Sequence, residues 1–172
     1  MNNHAIDGMD ADAMAGALSV PRAVLMSSVN STMDEVHRLA SEGAPAGTVV
    51  IADEQTAGRG RGGRRWTSRP GQGLWMTLLE RPGTVSGLDV LSLRIGLHAA
   101  PVLDLFSSER VQIKWPNDLY VGSRKLAGIL VEARWRDQKT DWVAIGIGVN
   151  VVAPPDLETA VGLLAGTRRS VV

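Results

Sequence analysis

The chain has 172 residues and a mass of 18.3 kDa, enough for one domain that buries roughly two thirds of its unfolded surface. Eighteen Lys and Arg balance eighteen Asp and Glu, so no global field exists for a bulk polyanion such as DNA, and any basic cluster is local. With no cysteine, the chain has no disulfide, thiol nucleophile or thiolate-bound zinc. His4, His37 and His98 are scattered without metal-ligand spacing. No apolar run is long enough to span a membrane as a helix. These features fit a cytoplasmic protein.

The opening stretch, Met1 to Ser19, is acidic and rich in Met and Ala. It lacks a basic region ahead of an apolar core, so it is not a secretory signal, and residues 1–20 read as a mobile tail. Val24-Leu25 then opens the fold as a short strand. Ser31-Thr32-Met33-Asp34-Glu35 starts a helix, Thr32 and Glu35 having the spacing of a capping box. Val36, Leu39 and Ala40 form its apolar face and Gly43 stops it. Ser31 and Thr32 have two readings at this point. Their hydroxyls cap the helix, or they hold a polar ligand atom beside the unpaired helix N–H groups.

Thr48-Val49-Val50-Ile51-Ala52 reads as a buried strand. It leads into Asp53-Glu54-Gln55-Thr56-Ala57-Gly58-Arg59-Gly60-Arg61-Gly62-Gly63-Arg64-Arg65-Trp66. So many glycines cannot hold one backbone shape unaided, and arginines between them do not bury without an anion. The run therefore predicts a flexible cationic loop that a negatively charged ligand orders. Gly58-x-Gly60-x-x-Gly63 formally fits a dinucleotide fingerprint, but the apolar helix which that site needs does not follow. An RNA-binding arginine–glycine tract is a second reading, set against the globular surroundings. A plain solvated loop is a third.

Gly73 to Leu79 reads as a strand, and a helix capped by Ser86 runs to about Phe106, with Leu93, Leu97 and Ala100 at helical spacing and Pro101 as a break or kink. His98 on that helix reads as a packed histidine. Val111-Gln112-Ile113-Lys114 alternates like a half-buried strand, and Trp115-Pro116-Asn117-Asp118 turns into another. Lys114, at the strand end, is a surface residue or a point charge aimed at a carboxylate or phosphate. Gly122-Ser123 makes the next turn. Lys125 to Trp135 is a long strand with Gly128 leaving space beside it. Arg136 to Asp141 is a polar turn, and Trp142 to Val151 is the last strand, with Gly146 and Gly148 on one face. Asp156 to Val172 shows a weak helical pattern. The order predicts an α/β domain of the α+β type, with a mixed, largely antiparallel sheet packed on a few helices.

Four blocks in order resemble the catalytic domain of biotin–protein ligases within the biotin/lipoate ligase family. They are Gln55 to Trp66, Lys114-Trp115-Pro116-Asn117-Asp118, Lys125-Leu126-Ala127-Gly128-Ile129-Leu130-Val131-Glu132, and Gly146-x-Gly148-Val149-Asn150. The resemblance implies a fold related to the class II aminoacyl-tRNA synthetase core, over residues 21–172. It implies activation of biotin by ATP and Mg²⁺ to biotinyl-5′-AMP. Transfer follows, to one lysine of a carrier, typically the biotin carboxyl carrier protein of acetyl-CoA carboxylase. It assigns biotin contacts to Ser31, Thr32, Gln55, Arg59, Gly60, Arg61, Lys114 and Gly128, with Lys114 and Arg61 carrying the catalytic charge. Trp66, Asn117 and Asn150 fall where the family holds the nucleotide. Gly128, Gly146 and Gly148 would keep a flat slot open for the biotin ring and chain.

Met33 stands where many such proteins have asparagine. No helix-turn-helix domain fits in the twenty residues ahead of the core, so DNA is not expected as a partner. The small β-barrel domain usual after the core is not found. Relatives of this kind commonly dimerise. Two alternatives come with the resemblance: a relative that binds biotin or nucleotide without transfer, and a lipoate or octanoyl transferase of the same fold.

Overall fold

The computed structural model describes residues 4–83, 87–137 and 139–163. Seven strands form one sheet: β1 (Arg22–Met26), β2 (Thr48–Ala52), β3 (Gly73–Glu80), β4 (Val111–Lys114), β5 (Asp118–Val121), β6 (Arg124–Arg136) and β7 (Lys139–Asn150). The spatial order is β1-β2-β3-β7-β6-β5-β4. Only β1 and β2 run parallel; every other pair is antiparallel. Three α-helices pack on it: α1 (Ala11–Leu18), α2 (Thr32–Ser41) and α3 (Leu91–Asp104). From β1 onward the sequence-based order of strands and helices is thus borne out, as is the mixed, largely antiparallel α+β class.

β2 is buried along its whole length, as its unbroken apolar run requires of a strand covered on both faces. One face meets α2 through Val50, Leu79, Ala144 and Trp142, packed against Met33, Val36 and Leu39. The other meets α1 through Val49, Ile51, Ala23 and Leu25, against Met14. Val36 is fully buried, and burying such a side chain contributes about 1.5–3 kcal/mol. At the far end of the sheet, Leu119, Val121, Leu126 and Ala127 pack with Ala100 of α3.

Several expectations are corrected. The opening stretch is not a tail over its described part. Asp10 caps α1, its carboxylate accepting from the Ala13 N–H at 2.9 Å, and Met14 packs into the core. The capping box does not form: Ser31, not Thr32, is the N-cap of α2, and Glu35 pairs with Arg38 instead. Gly43 follows the helix end at φ +89°, as expected. The predicted cap Ser86 lies outside the described residues, and α3 begins only at Leu91 after a turn of 3₁₀ helix. Pro101 does not break α3. It shares an exposed face with Leu97, so the carbonyl left unpaired lies on the solvent side. His98 and Leu97 are exposed rather than packed. The β6–β7 turn is much tighter than Arg136 to Asp141: strand pairing persists to Arg136 and Lys139. Residues 164–172 of the weak helical pattern lie outside the described residues.

Candidate functional site

The cationic stretch after β2 closes into a narrow hairpin. Trp66 N–H donates to Gly58 O at 2.9 Å and Gly60 N–H to Arg64 O at 2.7 Å. Its tip is a 3₁₀ turn, Arg61–Gly63, in which Gly62 and Gly63 have φ of +69° and +75°, a region that suits glycine. A Cβ on Gly58 would lie 2.5 Å from Trp66 O, so only glycine lets the two legs close. The glycines read as unable to hold one shape thus close a defined turn.

The hairpin covers one side of a narrow cleft of about 50 Å³, well below the ~300–1,000 Å³ of open small-molecule sites. It is lined by Ser31, Thr32 and Met33 of α2, by Gln55, Arg59, Gly60, Arg61 and Trp66, and by Asn117, Lys125 and Gly128. Gly146 and Gly148 line it from β7. The cleft therefore collects nine residues singled out from sequence: Ser31, Thr32, Gln55, Arg59, Gly60, Arg61, Trp66, Asn117 and Gly128.

The polar wall has a fixed sense. Thr32 donates through both N–H (2.9 Å) and Oγ1 (3.1 Å) to Gln55 Oε1. Thr32 Oγ1 also meets Thr77 Oγ1 at 2.8 Å. Gln55 Nε2 donates to Ser68 Oγ at 3.0 Å. Ser31 and Thr32 are almost fully buried. Ser31 Oγ accepts from Met33 N–H at 3.3 Å, so Ser31 is a cap and a lining residue at once. Met33 packs its methyl toward Gly146: a Cβ there would lie 2.8 Å from it.

The glycine slot is not open in the way the sequence suggested. Gly128 and Gly148 are register partners across β6 and β7, and Trp66 lies against both. A Cβ on Gly148 would come 2.7 Å from Trp66 Cε2, and one on Gly128 2.9 Å from Trp66 Cζ3. These glycines seat an indole, which also meets Trp75 edge-on at 6.1 Å. Trp66 Nε1 is buried without a hydrogen-bond partner among the described residues.

The lysine assignment changes. Lys114 is exposed and does not line the cleft; its ammonium donates to Tyr120 Oη at 3.2 Å and sits 4.4 Å from the ring centroid. Lys125 lines the cleft instead. Its Nζ lies 2.7 Å from Asp118 Oδ1 and 5.1 Å from the Trp66 ring centroid. The sequence carried a signal for this: hairpin pairing of β5 with β6 sets Lys125 opposite Tyr120, diagonal to Asp118 and three residues before Gly128.

The arginines also divide. Arg59 Nη2 pairs with Asp34 Oδ1 at 2.8 Å and Glu132 Oε2 at 3.2 Å, so its charge is already answered. Arg61 has no ion-pair partner among the described residues and lines the cleft. The Glu132 carboxyl is held below its usual range, first by the hydrogen bond from His37 and also by the Arg59 charge, against burial, which raises it.

Asn117 donates through Nδ2 to Ile129 O at 2.9 Å. Asn150 is absent from this cleft; it lines a second cavity of about 200 Å³ with Arg65, Thr67, Trp66 and Lys125. Trp66 and Lys125 are thus the wall common to both cavities. Among the described residues no group of three His, Asp or Glu is placed to hold a metal ion.

A mostly antiparallel sheet with a glycine floor, a buried Ser-Thr helix start and an arginine hairpin together frame one small-molecule cleft. Residues 25–150 match the biotin/lipoate A/B protein ligase family, and the chain belongs to that family. It is 36% identical over 149 residues to the bifunctional ligase/repressor BirA of Bacillus subtilis, covering 81% of this chain and 46% of that protein. It is 36% identical over 134 residues to the biotin–[acetyl-CoA-carboxylase] ligase of Paracoccus denitrificans, covering 77% and 55%. Among solved structures it resembles the Aquifex aeolicus biotin protein ligase in complex with biotin and ATP, with TM-score 0.66 and 33% identity over 81% of this chain and 57% of that one. The chain therefore spans about half the length of these relatives.

Proposed function

We propose that this chain carries the catalytic core of a biotin–protein ligase. The observation that carries the reading is the pair of adjoining cavities that share Trp66 and Lys125. A two-substrate reaction needs that arrangement: biotin in the cleft under the arginine hairpin, ATP in the cavity on the Asn150 side. The Aquifex aeolicus structure in complex with biotin and ATP and the Paracoccus denitrificans biotin–[acetyl-CoA-carboxylase] ligase support it.

In the first step the biotin carboxylate oxygen forms a bond to the α-phosphorus of ATP. The bond from that phosphorus to the bridging oxygen breaks, and pyrophosphate leaves with the electron pair. Two anions must approach each other. Lys125 and Arg61 offset the repulsion and stabilise charge as it develops; no side-chain nucleophile is needed, because positioning supplies most of the rate. Mg²⁺ would enter on the ATP phosphates, with no dedicated protein cage among the described residues. The hairpin excludes water from the mixed anhydride. In the second step a carrier lysine attacks the acyl carbon and AMP leaves. The carrier fits the biotin carboxyl carrier protein of acetyl-CoA carboxylase.

Incubation with ATP, Mg²⁺, biotin and such a carrier domain, read by streptavidin blot, tests both steps. Pyrophosphate release without carrier labelling would confine the activity to activation. Neither signal from folded protein would overturn the reading.

A further inference from the structure

Behind the arginine hairpin lies a chain of polar contacts that the reaction itself does not use. Trp142 Nε1 donates to His37 Nδ1 at 2.9 Å. His37 Nε2 meets Glu132 Oε2 at 2.9 Å. The same carboxylate oxygen accepts from Arg59 Nη2 at 3.2 Å. Trp142 is a buried core residue, and an indole N–H can only donate. His37 Nδ1 must therefore accept, which places the imidazole proton on Nε2, directed at Glu132. Three elements converge here: α2 with His37 and Asp34, β6 with Glu132 and β7 with Trp142.

We propose that His37 is a positioning residue that latches the arginine hairpin shut in the unliganded protein. Trp142 sets its tautomer; its Nε2–H fixes Glu132; Glu132, with Asp34, holds Arg59 and hence the backbone of Gly60 and Arg61 over the cleft. The ligand then need not supply all the ordering of a glycine-rich segment. The consequence for catalysis rests on the biotin-ligase reading; the latch itself rests on the contacts above.

The test is limited trypsin digestion of the full chain without ligand, with cuts at Arg59, Arg61, Arg64 and Arg65 followed by mass spectrometry. His37→Ala should be nicked in the hairpin about tenfold faster than wild type, the factor for losing one hydrogen bond to a charged group. The thermal midpoint should fall, because Trp142 Nε1 loses its acceptor, so the hairpin rate is read relative to cutting at the other sites, which should change less. His37→Gln keeps an N–H near the Nε2 position and should return the hairpin rate toward wild type. Equal hairpin rates in His37→Ala and wild type would overturn the latch. So would acceleration shared by all sites, or no recovery in His37→Gln. A separate arm adds saturating biotin and ATP to wild type. Failure to slow hairpin cutting there would count against the ligase reading and leave the unliganded comparison standing.

Discussion

Lys125→Met is the sharpest perturbation of the site. The ammonium it removes is 2.7 Å from Asp118 Oδ1 and 5.1 Å from the Trp66 ring centroid, at the wall between the two cavities. Removing a preorganised charge from a developing oxyanion costs about 3–4 kcal/mol, or about 10²–10³ in rate. A second effect must be separated from this. Asp118 is largely buried and would lose its cation; with side-chain exposures of 18% and 29% for the pair, the stability loss is about 1–3 kcal/mol, between the exposed and buried limits. Lys125→Met with Asp118→Asn removes the orphaned charge, so stability should recover while activity does not. The assay is biotin-dependent pyrophosphate release, with thermal unfolding alongside. Lys114→Ala, whose ammonium lies over Tyr120 outside the cleft, should keep most of the activity. A Lys125→Met rate within about threefold of wild type, a difference under about 1 kcal/mol, would refute the reasoning, as would a larger loss in Lys114→Ala.

Gly148→Ala places a Cβ 2.7 Å from Trp66 Cε2 and should displace the indole at a cost of about 1–3 kcal/mol, visible as a shift in tryptophan emission and a lower unfolding midpoint. Val36→Ala, at a fully buried site, should lose about 1–3 kcal/mol in a urea titration with an unchanged m-value. The Glu132 carboxyl is depressed in the folded state, first by His37. Its stabilisation is therefore present above the unfolded value of about 4.3 and is lost as pH falls through the lower folded value. Glu132→Gln should flatten that part of the acid limb in pH-dependent unfolding; an unchanged limb would show that the pairing adds nothing.

The strand–helix order was legible because β2 reads as one apolar run and because turns such as Gly122, with φ +57°, are marked locally. Helix α1 was hidden by its composition: Ala and Met beside acids resemble a tail, and only the docking of Met14 on β1 and β2 makes it a helix. Most of the cleft was legible from the glycine–arginine run and the Ser-Thr pair. What failed were contacts between distant segments. The two lysines lie at opposite ends of β5, Lys114 before it and Lys125 after it, and only the pairing of β5 with β6 sends Lys125 inward. Three glycines predicted a vacancy, but the residue seated on two of them, Trp66, comes from a different part of the chain. Asn150, expected at the nucleotide, lines the neighbouring cavity to which ATP is assigned above.

The Gln55 amide has one further consequence. Thr32 N–H can only donate, so Oε1 is committed to it, and the amide cannot rotate without breaking that bond. Its nitrogen is therefore a fixed donor, with one proton used on Ser68 and one left over. Any group that meets the remaining proton must bring a lone pair: a carbonyl oxygen satisfies it, and an ammonium would meet proton against proton.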